Sequence, residues 1–180
     1  MEIVPTALPD VLLIKPKVWS DERGFFLESW NEHAFERAGL QVHFRQDNHS
    51  RSVRNVVRGL HYQLDRPQGK LVRCTRGVVF DVAVDLRRSS PTFRRWIGIV
   101  LSERNQQMLW IPPGFAHGFL VTSDEADVHY KASELYDARS DRAVLWNDPQ
   151  LAIDWPLSGA PLLSKKDGDA PSLANAEVLS

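Results

Sequence analysis

In the run GVVFDVAVDL, residues 77–86, Phe80, Val82, Val84 and Leu86 fall on one face and Val79, Asp81, Ala83 and Asp85 on the other. A period of two belongs to a β-strand, and a strand this apolar must bury at least one face against another layer. RRWIGIVLS, QMLWIPPGFAHGFLVTS, ADVHYKASELY and AVLWNDP follow as further β-rich runs, with turn residues between them. The first half offers one helix, NEHAFERAG, with Asn31 suited to its N-cap and Gly39 to the C′ position. A second short helix is expected to start near Ser172, in a final stretch, DGDAPSLANAEVLS, whose end should fray. Many short strands with few helices predict an all-β, double-sheet jelly roll. The periodicity alone fits an immunoglobulin-like sandwich equally well.

With 180 residues, 43% of them hydrophobic, the chain can build one domain with a real core. A net charge of −1 argues against a general nucleic-acid or membrane-surface protein, so any anion binding must be local. The single cysteine, Cys74, lies in an apolar-alternating run and reads as a small buried hydrophobe, which suits a reducing compartment. MEIVPTALPD has an acid and prolines where a signal peptide needs a basic start and an apolar run. No stretch approaches the roughly 20 apolar residues that span a bilayer. A soluble, cytoplasmic protein is expected.

Local charge is concentrated in VVRGLHYQLDRPQGKLVRCTRG, where Arg58, Arg66, Lys70, Arg73 and Arg76 surround His61 and Asp65 is the one acid. PPGFAHGF, ending at Phe119, has the proline, glycine and histidine spacing of the second cupin motif, with His117 pointing inward. A proline-rich turn leading to a strand with a satisfied core histidine explains it as well. In the first cupin motif of metal-binding members His61 would take the first histidine position, but Gln63 replaces the second and Lys70 replaces the glutamate. An ammonium where a metal wants a carboxylate predicts that no metal is held. Arg58 and His61, three apart, would face opposite ways on a regular strand, and Gly59 is a natural place for a bulge that re-aims one of them. SDERGFFLESW reads as a turn and an edge strand, RQDNHS as a surface loop, and Asp81 as a candidate buried carboxylate.

Together, DERGFFLESW, FRQDNHS, VVRGLHYQL, QGKLVRC, GVVFDVAVDLRRSSPTF, LWIPPGFAHGFLV, YKASELY, WNDPQLAIDWPL and LLSKKD resemble the dTDP-4-dehydrorhamnose 3,5-epimerase family in order and spacing, up to about Asp167. The resemblance implies a cupin-type double-stranded β-helix (jelly roll) with short flanking helices. It is read as a single domain over 1–180, with an N-terminal arm of about 1–45, a barrel core of about 46–150 and a C-terminal segment of about 151–180. It makes His61 the general base, Tyr130 the general acid and Asp167 the carboxylate that pairs with the base. Lys70 and Arg58 line the sugar pocket, while Arg23, Glu28, Gln46, Asn48, His117 and Lys166 match substrate-contacting positions. Tyr136 matches the aromatic that stacks on thymine. The family pattern often has a tyrosine pair where this chain has Leu135 and Tyr136, and some members carry glutamate at Asp141, a further substrate-binding candidate. A homodimer is implied, with the N-terminal segment reaching the partner's site.

The implied substrate, dTDP-4-dehydro-6-deoxy-α-D-glucose, has a C4 ketone that acidifies the hydrogens on C3 and C5. A neutral imidazole is a suitable base near pH 7, a lysine can face the developing O4 oxyanion, and arginines suit a diphosphate. Rival readings are a mono-epimerase or ketoisomerase on a related dTDP-sugar, a non-catalytic sugar-nucleotide-binding cupin, and a metal-dependent cupin dioxygenase, which Lys70 disfavours. No dinucleotide fingerprint is visible, so no cofactor is expected.

Overall fold

The computed structural model describes residues 1–180. Its strands are β1 (Glu2–Pro5), β2 (Leu12–Lys15), β3 (Val18–Asp21) and β4 (Gly24–Leu27), then helix α1 (Glu32–Arg37). The barrel strands follow: β5 (Gln46–Val53), β6 (Val57–Gln63), β7 (Lys70–Arg76), β8 (Val78–Asp85), β9 (Trp96–Ser102), β10 (Met108–Ile111), β11 (Phe115–Val121), β12 (Glu125–Ala132) and β13 (Asp141–Ala143). Helix α2 (Lys165–Gly168) closes the series. Two antiparallel sheets, β1-β2-β10-β7-β12-β5 and β13-β6-β11-β8-β9, form the cupin-type jelly roll, and β3-β4 is a separate hairpin.

The alternation in β8 holds, but both of its faces are buried. Val79 and Ala83 point between the sheets, into a core shared with Val72, Leu109, Phe119 and Val128. Val82, Val84 and Leu86 point outward into a second core, where Leu151, Ile153, Trp155, Leu173 and Ala176 of the C-terminal segment cover the five-stranded sheet. A third cluster, Ile14, Phe35, Leu71, Met108 and Trp110, packs α1 on the outside of the six-stranded sheet. Helix α1 has the expected ends: the Asn31 side chain accepts from the Ala34 N–H, and Gly39 follows with φ of +87°. No helix is long and apolar enough to cross a membrane.

Several local expectations are corrected. RQDNHS is no loop; from Gln46 onward it lies in β5, with Asp47, His49, Arg51 and Val53 exposed and the alternate residues sheltered. AVLWNDP is a strand only at its start: β13 begins at Asp141, Val144 still exchanges two backbone hydrogen bonds with Leu60, and a turn follows at Leu145. The helix expected near Ser172 is a turn closed by the Asn175 N–H on the Ser172 carbonyl, because burying Leu173 and Ala176 outweighs helical propensity. The helix lies earlier, capped by Ser164. Nor is the tail frayed, since the Arg88 N–H donates to the Leu179 carbonyl at 2.9 Å.

Candidate active site

The site is set by a mismatch between β6 and β11. His61 pairs with His117 and Arg58 with Phe119, so three steps on β6 match two on β11. The extra residue is the bulge expected at Gly59, and it turns both Arg58 and His61 between the sheets while Val57 and Leu60 pack outward. Gly59 has φ of +128°, and a Cβ there would lie 2.5 Å from the Gly118 Cα, so only glycine fits. Gly118 is equally confined, with the Arg58 carbonyl oxygen 2.8 Å from where its Cβ would be.

His61 Nε2 lies 2.5 Å from Asp167 Oδ1, and the Ser164 hydroxyl donates to Asp167 Oδ2 at 2.7 Å. Asp167 is buried in α2, which the same Ser164 caps by accepting from the Asp167 N–H. Burial alone would raise the Asp167 carboxyl, but hydrogen bonds from His61, Ser164 and the Gly59 N–H outweigh it and hold the group below the usual range. With Nε2 committed to this carboxylate, Nδ1 is the ring nitrogen left to take a proton.

Lys70, on β7, points between the sheets with Val72 and Cys74, and its ammonium lies 3.4 Å from the His61 carbonyl oxygen. Burial pushes it down to about 8, against the pull of Asp81 and Asp141. Tyr130 enters from β12, beside β7 in the sheet that faces His61, its ring 5.8 Å from the Lys70 ammonium and 6.2 Å from the His117 ring. Burial raises its phenol, so the hydroxyl stays protonated at neutral pH. His117 and Asp81 pair with each other at 2.8 Å, both buried. Asp167, not Asp81, is therefore the partner of His61.

The remaining candidates form a rim. Arg58 donates to Ser52 at 2.9 Å, and the Gln46 side chain links Asn48 to the Tyr136 N–H. Asp141 accepts from the Tyr136 hydroxyl at 3.0 Å and from the Lys166 ammonium. Arg23 and Glu28 stand apart: Arg23 bonds Asp21 on the β3–β4 turn, and Glu28 accepts from Asn31. Two residues escaped the sequence reading. Ser164 sits three places before Asp167, the spacing of a helix cap, which could have revealed it. Ser52 had no such signal. No three His, Cys, Asp or Glu side chains converge as a metal-ligand set.

A two-sheet barrel whose lumen holds a carboxylate-bound imidazole, a buried ammonium and a phenol defines a cupin-type β-sandwich equipped for proton transfer. The family model described as dTDP-4-dehydrorhamnose 3,5-epimerase matches residues 5–175. The dTDP-4-dehydrorhamnose 3,5-epimerase of Pseudomonas aeruginosa is 56% identical over 178 residues, 98% of each chain. That of Shigella flexneri is 54% identical over 179 residues, again 98% of both. The crystal structure of a Legionella pneumophila dTDP-6-deoxy-D-glucose-3,5-epimerase, in complex with dTDP-4-keto-L-rhamnose, is similar with a TM-score of 0.95. It is 48% identical, and the match covers 97% of this chain and 93% of that one. The chain belongs to the dTDP-4-dehydrorhamnose 3,5-epimerase family.

Proposed function

We propose that this chain epimerises dTDP-4-dehydro-6-deoxy-α-D-glucose at C3 and C5 to dTDP-4-dehydro-β-L-rhamnose, as a cytoplasmic step in dTDP-L-rhamnose biosynthesis that feeds surface glycans such as lipopolysaccharide. One observation carries the reading: the His61–Asp167 pair lies on one sheet and its α2 cover, Tyr130 on the facing sheet, and the Lys70 ammonium near both. Inversion needs a base and an acid on opposite sides of the carbon, with a cation at the oxygen that becomes negative.

His61 Nδ1 takes the C3 proton, and the electron pair moves through the C3–C4 bond onto O4, which faces Lys70. Asp167 stabilises the imidazolium formed. Tyr130 then delivers its hydroxyl proton to the other face of C3, and the pair collapses back to the ketone. Imidazolium and phenolate return to their starting states by exchange with solvent. The same groups repeat the cycle at C5. Arg58 and the rim around Tyr136, Asp141 and Lys166 suit the diphosphate and the thymine. The non-catalytic reading gives no use for a lumen with both a base and an acid.

Proton NMR of the chain with this substrate in deuterated water tests the proposal: exchange is expected at both carbons. Exchange at C3 or C5 alone would favour a mono-epimerase, and none would end the reading.

The base's partner should reveal itself separately. Asp167→Asn is expected to keep dTDP affinity and to slow exchange, because the ring loses its orientation and its counter-charge. The depressed Asp167 carboxyl contributes stability that is present above its unfolded value, 3.8, and lost as pH falls through the lower folded value. The variant's melting temperature should therefore fall less than wild type's on acidification. An equal fall in both would show that Asp167 has no such role.

The chain works, in this proposal, as one domain and as a homodimer. Trp19, Phe25 and Phe26 are 44%, 59% and 66% exposed on the β3–β4 hairpin, an apolar surface that a partner subunit would cover. Arg23 and Glu28, remote from their own lumen, would then serve the partner's. Light scattering is expected to give twice the chain mass, and a monomer at working concentration counts against this arrangement.

A further inference from the structure

One buried charge has no part in that mechanism. Asp81 is fully buried on β8; its Oδ1 meets His117 Nε2 at 2.8 Å, and its Oδ2 has no hydrogen-bond partner. A buried carboxylate is costly unless a cation shares its surroundings. His117 does not supply that cation. Burial pushes its imidazole down, Lys70 and His61 push it further, and only Asp81 pulls the other way. A neutral ring donating Nε2–H to Asp81 satisfies the bond but leaves the charge unmatched.

Of the basic side chains turned between the sheets, Arg58 is exposed and bonds Ser52, and His61 is held by Asp167, which leaves the buried Lys70. Around Lys70 stand the His61 carbonyl on β6, the Tyr130 ring on β12, Asp81 on β8, His117 on β11, Asp141 on β13 and Lys166 on α2. Asp141 is already engaged by Lys166 and the Tyr136 hydroxyl. We infer that Asp81 is a positioning residue of electrostatic kind: it is the counter-ion that keeps Lys70 an ammonium inside the lumen, with His117 its neutral hydrogen-bond donor. Burial otherwise favours a neutral lysine, and a neutral amine would offer the forming enolate no positive charge.

The catalytic consequence rests on the proposed epimerase reading, whereas the charge coupling can be measured without substrate. With lysines labelled at the ε-carbon and Lys70 assigned through Lys70→Arg, carbon NMR of the free protein should show Lys70 titrating near 8. In Asp81→Asn the midpoint should drop by about 1–3 units, the range for loss of a close opposite charge. The basic limb of kcat against pH should move down equally, with KM unchanged, a shift that a merely structural carboxylate would not produce. An unchanged Lys70 midpoint in a folded Asp81→Asn protein overturns the inference.

Nitrogen NMR of the His117 ring in the wild-type protein decides independently of any variant. A neutral Nε2–H tautomer across neutral pH supports the inference, and an imidazolium there overturns it, because Asp81 would already be matched. Should Asp81→Asn not fold, the smaller Asp81→Ser carries the same comparison. A protein in which Lys70 responds as expected but no substrate proton exchanges would sink the epimerase reading and leave the counter-ion standing.

Discussion

Replacing His61 with alanine is expected to abolish solvent exchange at both C3 and C5. Each abstraction needs a base whose free nitrogen can face the sugar, and the held Nε2 of His61 leaves Nδ1 for that task. A general base is typically worth about 10²–10⁴ in rate, and here one group serves two successive steps. The nearest substitute is His117, directly opposite on β11, but it is buried and its Nε2 is engaged by Asp81. Binding of dTDP should survive, since no diphosphate or thymine contact is assigned to His61. Calorimetry with dTDP alongside NMR exchange with substrate separates the two effects. Exchange that persists at one carbon would reveal a second base and remove the single-base scheme.

Tyr130→Phe should give a different and more diagnostic outcome. The ring stays, so its edge contact with His117 and its packing against the inter-sheet core are kept. What goes is the hydroxyl, which burial keeps protonated at neutral pH. His61 and Lys70 are untouched, so the enolate should still form. Its return proton then comes mainly from the imidazolium, on the face it left, and the starting configuration is restored. In deuterated water the expected result is exchange without matching inversion, with product formation down by about 10²–10⁴. Loss of packing alone could not separate exchange from inversion. A Tyr130→Phe protein that inverts both centres at near wild-type rate would remove the phenol from the scheme.

The barrel was legible because strands such as β8 bury apolar residues at a period of two. The same logic hid β5. Its sheltered positions, Gln46, Asn48, Ser50 and Ser52, are polar, so the alternation carries no hydrophobic signal. The bulge at Gly59 could be expected from two side chains needed on one side and a glycine between them, whereas Gly118, its counterpart across the ladder, could not. Pairing of charges was less accessible. Asp81 read only as a candidate buried carboxylate and His117 as a substrate-contacting position, and only the three-dimensional arrangement joins them as a second His–Asp pair beside His61–Asp167. The C-terminal segment misled for a related reason. Its conformation is set by docking on the outer face of β8, β6 and β11, a surface that local propensity does not see.

That docking ties the chemistry to the order of folding. Asp167 lies 106 positions after His61, and it arrives on the stretch of chain whose leucines and alanines seal the outer core. Contacts so distant in sequence carry a large loop-closure cost and tend to form late. A chain with its two sheets assembled but this stretch still undocked would have a lumen containing Lys70 and Tyr130, yet an imidazole free to rotate and without a counter-charge. Protons would then be handled only by molecules whose last seam has closed, so activity can serve as a readout of complete folding rather than of barrel formation alone.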